Sequence, residues 1–108
     1  MTPPARRLDF AAINSAALAE LPTLVRRWAP DGYRAGAEWI ARNPRRTDKR
    51  PGSFKVNLRT GKWADFATGD KGGDVISLAA YVANVSQGEA ARQLADMLGV
   101  SDGERHDA

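Results

Sequence analysis

Ser53-Phe54-Lys55-Val56-Asn57-Leu58-Arg59-Thr60-Gly61-Lys62-Trp63-Ala64-Asp65-Phe66 is the stretch on which the fold turns. Phe54, Val56 and Leu58 alternate with Lys55, Asn57 and Arg59, the period-2 pattern of a strand with one buried face. Arg59-Thr60-Gly61-Lys62 reads as a short hairpin loop in which Gly61 supplies a positive φ. The chain then returns as a second strand from Lys62 to Phe66. Two antiparallel strands cannot stand alone, so the surrounding sequence must provide a third strand and a layer to pack on.

Working towards the N-terminus, Tyr33 to Ala41 carries Trp39 and Ile40 and is expected as one strand, making a three-stranded antiparallel sheet. Before it, Ala29-Pro30-Asp31-Gly32 is a stop and turn. Leu18, Leu21, Leu24, Val25 and Trp28 recur at 3–4 residue spacing, a helical stripe starting near Asn14 as N-cap. Pro22 interrupts that stripe, so two short helices or a break near Leu21 are expected. Towards the C-terminus, Asp74 follows Gly72-Gly73 and suits the N-cap of a helix through Val75, Ile76, Leu78, Ala79 and Val82. Ser86-Gln87-Gly88-Glu89 has the form of a capping box. It opens a last helix through Ala90, Ala91, Leu94, Met97 and Leu98, with Gly99 and Val100 placed for a Schellman ending. The expected architecture is α+β, a small three-stranded antiparallel sheet with flanking N- and C-terminal helices. A flexible lead-in over 1–12 precedes one domain over 13–100, and a polar tail occupies 101–108.

The chain has 108 residues, 43% hydrophobic and 27% charged, an ordinary globular composition with room for one modest core. No apolar run reaches the length of a membrane span, and no apolar h-region follows Arg6 and Arg7, so neither a membrane anchor nor a signal peptide is expected and cytoplasm is the default. Without cysteine there are no disulfides and no thiolate metal sites. The net charge of +3 conceals a marked asymmetry. Arg42, Arg45, Arg46, Lys49, Arg50, Lys55, Arg59 and Lys62 are opposed within their window by Asp48 alone, a local +7 that leaves −4 elsewhere. Such a window suits a polyanion partner or a solvated basic loop.

Catalytic chemistry finds little support. The single histidine, His106, lies in the polar tail, and Ser53 and Ser77 have no base nearby in sequence. Asp65, Asp70 and Asp74 are the nearest approach to a magnesium cluster, but Asp74 is more simply a helix cap, and Asp65 and Asp70 are more simply solvated. Thr60-Gly61-Lys62 lacks the upstream glycine and the following hydroxyl of a phosphate-binding loop, since Val56 and Trp63 stand there. Cations around a hairpin with Trp63 and Phe66 on the return strand instead suit phosphates flanking stacked bases. Phe54 and Trp39 are expected in the core, while Trp63 suits the core and a stacking face equally.

Two segments frame the hairpin: Asn43-Pro44-Arg45-Arg46 ahead of Pro51-Gly52-Ser53-Phe54, and Asp65-Phe66-Ala67-Thr68-Gly69 ahead of Gly72-Gly73-Asp74. Over roughly residues 42–100 this order resembles the N-terminal zinc-ribbon domain of bacterial and phage DNA primases. There, a Cys-Pro-x-His knuckle precedes a Pro-Ser-Phe strand, and a Cys-x-x-Cys-Gly knuckle precedes a Gly-rich bend and a helix. The resemblance places the family's ligand positions on Asn43, Arg46, Asp65 and Thr68, none able to build a four-ligand zinc site. It implies a polar pair in place of the metal, with Arg46 and Asp65 as candidates. It also implies template recognition, with no catalytic centre or cofactor of its own, in replication of a phage, plasmid or integrated element. Arg45, Arg46, Lys49, Arg50, Lys55, Arg59, Lys62 and Trp63 are the expected contacts. The expected partner is single-stranded DNA, with RNA open, alongside a helicase or primase catalytic domain. The competing expectation is an adaptor whose basic sheet docks an acidic protein; a metal-dependent nucleotide-processing enzyme is a weaker third.

Overall fold

A computed structural model describes residues 9–45 and 52–100. Among these residues the fold is α+β, with four helices and a five-stranded antiparallel sheet. Helices α1 (Phe10–Ala19) and α2 (Leu21–Trp28) come first, then strands β1 (Tyr33–Ala35), β2 (Glu38–Ala41), β3 (Phe54–Asn57), β4 (Trp63–Asp65) and β5 (Lys71–Gly72), then α3 (Val75–Ala83) and α4 (Gln87–Leu98). The strands lie in sequence order, a simple meander.

The expected count of three strands is therefore corrected to five. The single strand expected from Tyr33 to Ala41 is a hairpin, because Gly36 takes φ +61 and reverses the chain between Ala35 and Glu38. A glycine first in a two-residue loop is the residue order of a type II′ turn, whose twist matches that of the flanking strands. The fifth strand comes from the segment read as a glycine-rich bend. Lys71 pairs with Ala64 and Gly72 with Trp63. Gly72 is required there by close approach: a Cβ would lie 2.4 Å from both the Trp63 indole nitrogen and Ser77 Oγ.

Period-2 burial follows the alternation. Trp39 and Ala41 on β2, Phe54 and Val56 on β3, and Trp63 and Asp65 on β4 all face inwards, in register with one another. They join Ile13, Leu21, Leu24, Val25, Ile76, Leu78 and Leu94 of the helices in one core. Pro22 does divide the N-terminal helices: α1 ends at Ala19 and α2 begins at Leu21 with proline in its first turn, where a missing N–H costs nothing. The N-cap of α1 is Asp9, not Asn14, so the lead-in read over 1–12 overlaps this helix from Phe10. Asn14 sits mid-helix and braces α3 instead, accepting from the Ile76 N–H at 2.9 Å and donating to Asp74 Oδ2 at 3.3 Å.

Asp74 forms a reciprocal capping box with Ser77, closing α3 onto the end of the meander. Ser86 caps α4 by accepting the Glu89 N–H. Helix α4 ends with Gly99 at φ +68 and the Val100 N–H on the Ala95 carbonyl, the expected Schellman geometry. No described helix is long and apolar enough to cross a membrane.

Candidate nucleic-acid interface

The inward side chains of β2, β3 and β4 join helical residues in the core, so the outward side chains define the other face. Cross-strand pairing places Tyr33, Ile40, Lys55, Ala64 and Lys71 in one row across all five strands. A second row runs from Ala35 through Glu38 to Asn57, which pairs onward with Lys62 through the Asn57 N–H and Lys62 carbonyl. Residues directly opposite one another share a face, so this surface is a sequence-defined strip. Its members are half-buried or exposed, and Tyr33 is 52% exposed.

The β3–β4 hairpin aims its aromatics in opposite directions. Trp63 is only 6% exposed and packs in the core, with its indole N–H donating to Ser77 Oγ at 3.0 Å. Its ring lies 4.5 Å from Tyr81 and 6.1 Å from Phe54, centroid to centroid. The exposed aromatic of this hairpin is instead Phe66, three residues on and 71% exposed. Lys55 Nζ stands 5.5 Å from the Phe66 ring centroid, within cation–π range. Glu38, Lys55, Asn57, Lys62, Trp63, Ala64 and Phe66 line a shallow groove of about 200 Å³.

The structure separates cations that the sequence places together. Lys55 and Lys62 share the groove, whereas Arg59 lines a different cleft with Arg34, Pro22 and Leu58. Arg59 projects elsewhere because the loop is held by Asn57, whose Oδ1 accepts the Arg59 and Thr60 N–H groups at 2.9 and 3.1 Å. Gly61 at φ +82 then turns the chain back. Arg42 is taken up by an ion pair with Asp31. Arg46, Lys49 and Arg50 lie outside the described residues.

Arg45 leads into a buried polar cluster. Asn43 is 1% exposed and Asp65 0% exposed. The Asn43 amide donates to Asp65 Oδ2 at 2.7 Å and to the Tyr81 hydroxyl at 2.8 Å, and its carbonyl accepts the Arg45 N–H at 2.8 Å. Asp65 Oδ1 accepts the Ala67 N–H at 2.8 Å, and Tyr81 donates to Asp70 Oδ2 at 2.7 Å. The Arg45 guanidinium lies 4.8 Å from the Tyr81 ring centroid. Asp65, expected as a solvated carboxylate, is instead a buried acceptor, whereas Asp70 is exposed as expected and also accepts the Tyr81 hydroxyl. Burial raises the Tyr81 pKa above its ordinary value; the Asn43 bond opposes this, while Asp70 and Asp65 reinforce it. The Arg46–Asp65 pair lies outside the described residues, but Asn43–Asp65 joins the same two segments. Among the described residues no group of three or more His, Cys, Asp or Glu side chains could hold a metal ion.

Lys71 and Tyr33 are the face residues that sequence reading missed. Lys71 was hidden in a glycine-rich run, and Tyr33 could be placed only once Gly36 folds β1 back on β2. The alternation of Lys55 and Asn57 with buried neighbours was the available signal. No family model, curated protein or solved structure matches this chain.

Proposed function

We propose that this chain is a metal-free, primase-type binding module that holds single-stranded nucleic acid on the outer face of its sheet. The carrying observation is the row Tyr33–Ile40–Lys55–Ala64–Lys71, with exposed Phe66 beside Lys55. Exposed rings can stack on unpaired bases of any sequence, while lysines spaced across strands track the phosphates. Among the described residues Glu38 is the one carboxylate lining the groove, so the local field favours an anion. The Asn43–Asp65 pair lends support to the primase likeness, because it joins the segments that a metal would otherwise clip together. On this reading the chain has no reaction of its own and serves replication in the cytoplasm beside a helicase or primase catalytic unit.

The test is fluorescence anisotropy with a labelled oligothymidylate. Phe66→Ala is expected to weaken binding by about 1–3 kcal/mol, the scale of one stacked base. Equal binding by parent and variant overturns the stacking role. An acidic polypeptide such as polyglutamate that competes as well as the oligonucleotide would favour the adaptor reading instead.

A further inference from the structure

We propose that the cleft between Pro22 and the two neighbouring turns, flanked by Arg34 and Arg59, is a binding site for a phosphoryl group. It is separate from the lysine-bearing groove on the outer face. The cleft measures about 300 Å³ and is lined by Pro22, Arg34, Gly36, Ala37, Leu58 and Arg59, with no acidic residue among the described residues of its wall. That volume stands at the lower end of small-ligand pockets, about 300–1,000 Å³.

The backbone turns that carry the two arginines are tied together. The Leu58 N–H donates to the Ala37 carbonyl at 2.7 Å, tying the β1–β2 turn to the β3–β4 turn. Arg34 Nε donates to the Gly36 carbonyl at 3.1 Å, which orders its stem and leaves the four Nη donors of its guanidinium for a ligand. The Arg59 backbone is pinned by Asn57. Gly36 keeps its side open, since a Cβ there would meet nothing within 4 Å. Two arginines lining one cleft with Leu58, Ala37 and Pro22 supply planar, multi-donor guanidinium groups, which suit a tetrahedral oxyanion better than a point cation does. The phosphoryl group could belong to a strand passing the hairpin end or to a small phosphate compound.

The test uses the full ¹⁵N-labelled chain titrated with sodium pyrophosphate at constant ionic strength. Saturable amide shifts are expected at Gly36, Ala37, Leu58 and Arg59. The double variant Arg34→Ala/Arg59→Ala should weaken that binding at least about tenfold, given the strength of charge-assisted bonds. Arg92→Ala, a cation on α4, should leave it unchanged. Both cleft arginines are exposed, so the double variant is expected to keep the parent's amide spectrum elsewhere. Shifts that never saturate, or a double variant that binds like the parent, overturn the site. Oligothymidylate that displaces pyrophosphate identifies a strand phosphate; binding of pyrophosphate beside it identifies a small compound, and either result upholds the cleft. Pyrophosphate binding without any strand binding would defeat the proposed function alone.

Discussion

At the scale of single residues, Asn43, Asp65 and Tyr81 carry most of what is unusual in this chain. A buried polar atom deprived of its partner costs about 1–3 kcal/mol. Asp65→Ala removes acceptors for the Asn43 amide and the Ala67 N–H, and urea denaturation is expected to report a loss of at least that size. Tyr81 adds a pH signature. Its folded pKa lies above the unfolded value, so its contribution is complete below about pH 10 and declines as pH rises through the folded pKa. Stability measured from pH 8 upward should fall less steeply at alkaline pH in Tyr81→Phe. A slope identical to the parent's would remove Tyr81 from that role. Trp63 and Phe66 separate in the same way: Trp63→Ala is expected to cost about 3–5 kcal/mol of stability, whereas Phe66→Ala should leave the melting temperature near the parent's. The buried cluster was the least legible feature of the sequence. Asn43 and Asp65 are 22 positions apart and polar, and nothing local indicates that both lie at the junction of core and loop.

At the scale of elements, alternation at Phe54-Val56 and helical spacing after Asp74 marked β3, α3 and α4 correctly. The hairpin loop also followed from Gly61. The sheet was undercounted because β1 and β5 have three and two residues, too short for periodicity to register. Their existence depends on backbone reversals at Gly36 and on the pairing of β4, and both are tertiary facts. The start of α1 was misplaced because Asn14 is as good a cap by type as Asp9, and only the contact with α3 distinguishes them. The reciprocal cap at Asp74 offers a check on this level. Asp74→Ala is expected to destabilise by about 0.5–2 kcal/mol, with the loss concentrated in hydrogen-exchange protection at the first turn of α3. Uniform loss across the sheet would mean that Asp74 acts chiefly through Asn14.

At the scale of the whole molecule, the sheet separates two chemistries. One face packs with the helices, through β2, β3 and β4, into a core that includes both Trp39 and Trp63. The other presents Lys55, Lys62 and Lys71 with Phe66 and Tyr33 to solvent. The basic window was legible in sequence as charge, but not as geometry, because the loop held by Asn57 carries Arg59 and Lys62 to different clefts. Removal of metal should have no effect on such a fold. EDTA is expected to leave the melting temperature unchanged, and one tightly bound zinc per chain would refute the metal-free reading. The most direct measurement is the affinity for labelled single-stranded DNA across a salt series, for the parent and for Lys55→Ala/Lys62→Ala/Lys71→Ala. Each phosphate contact contributes a slope of about −0.7 in log K against log salt. The triple variant should therefore flatten the slope by roughly two if all three lysines touch phosphate. A triple variant that stays folded and binds with the parent's affinity and slope would show that the outer face of the sheet is not the nucleic-acid surface.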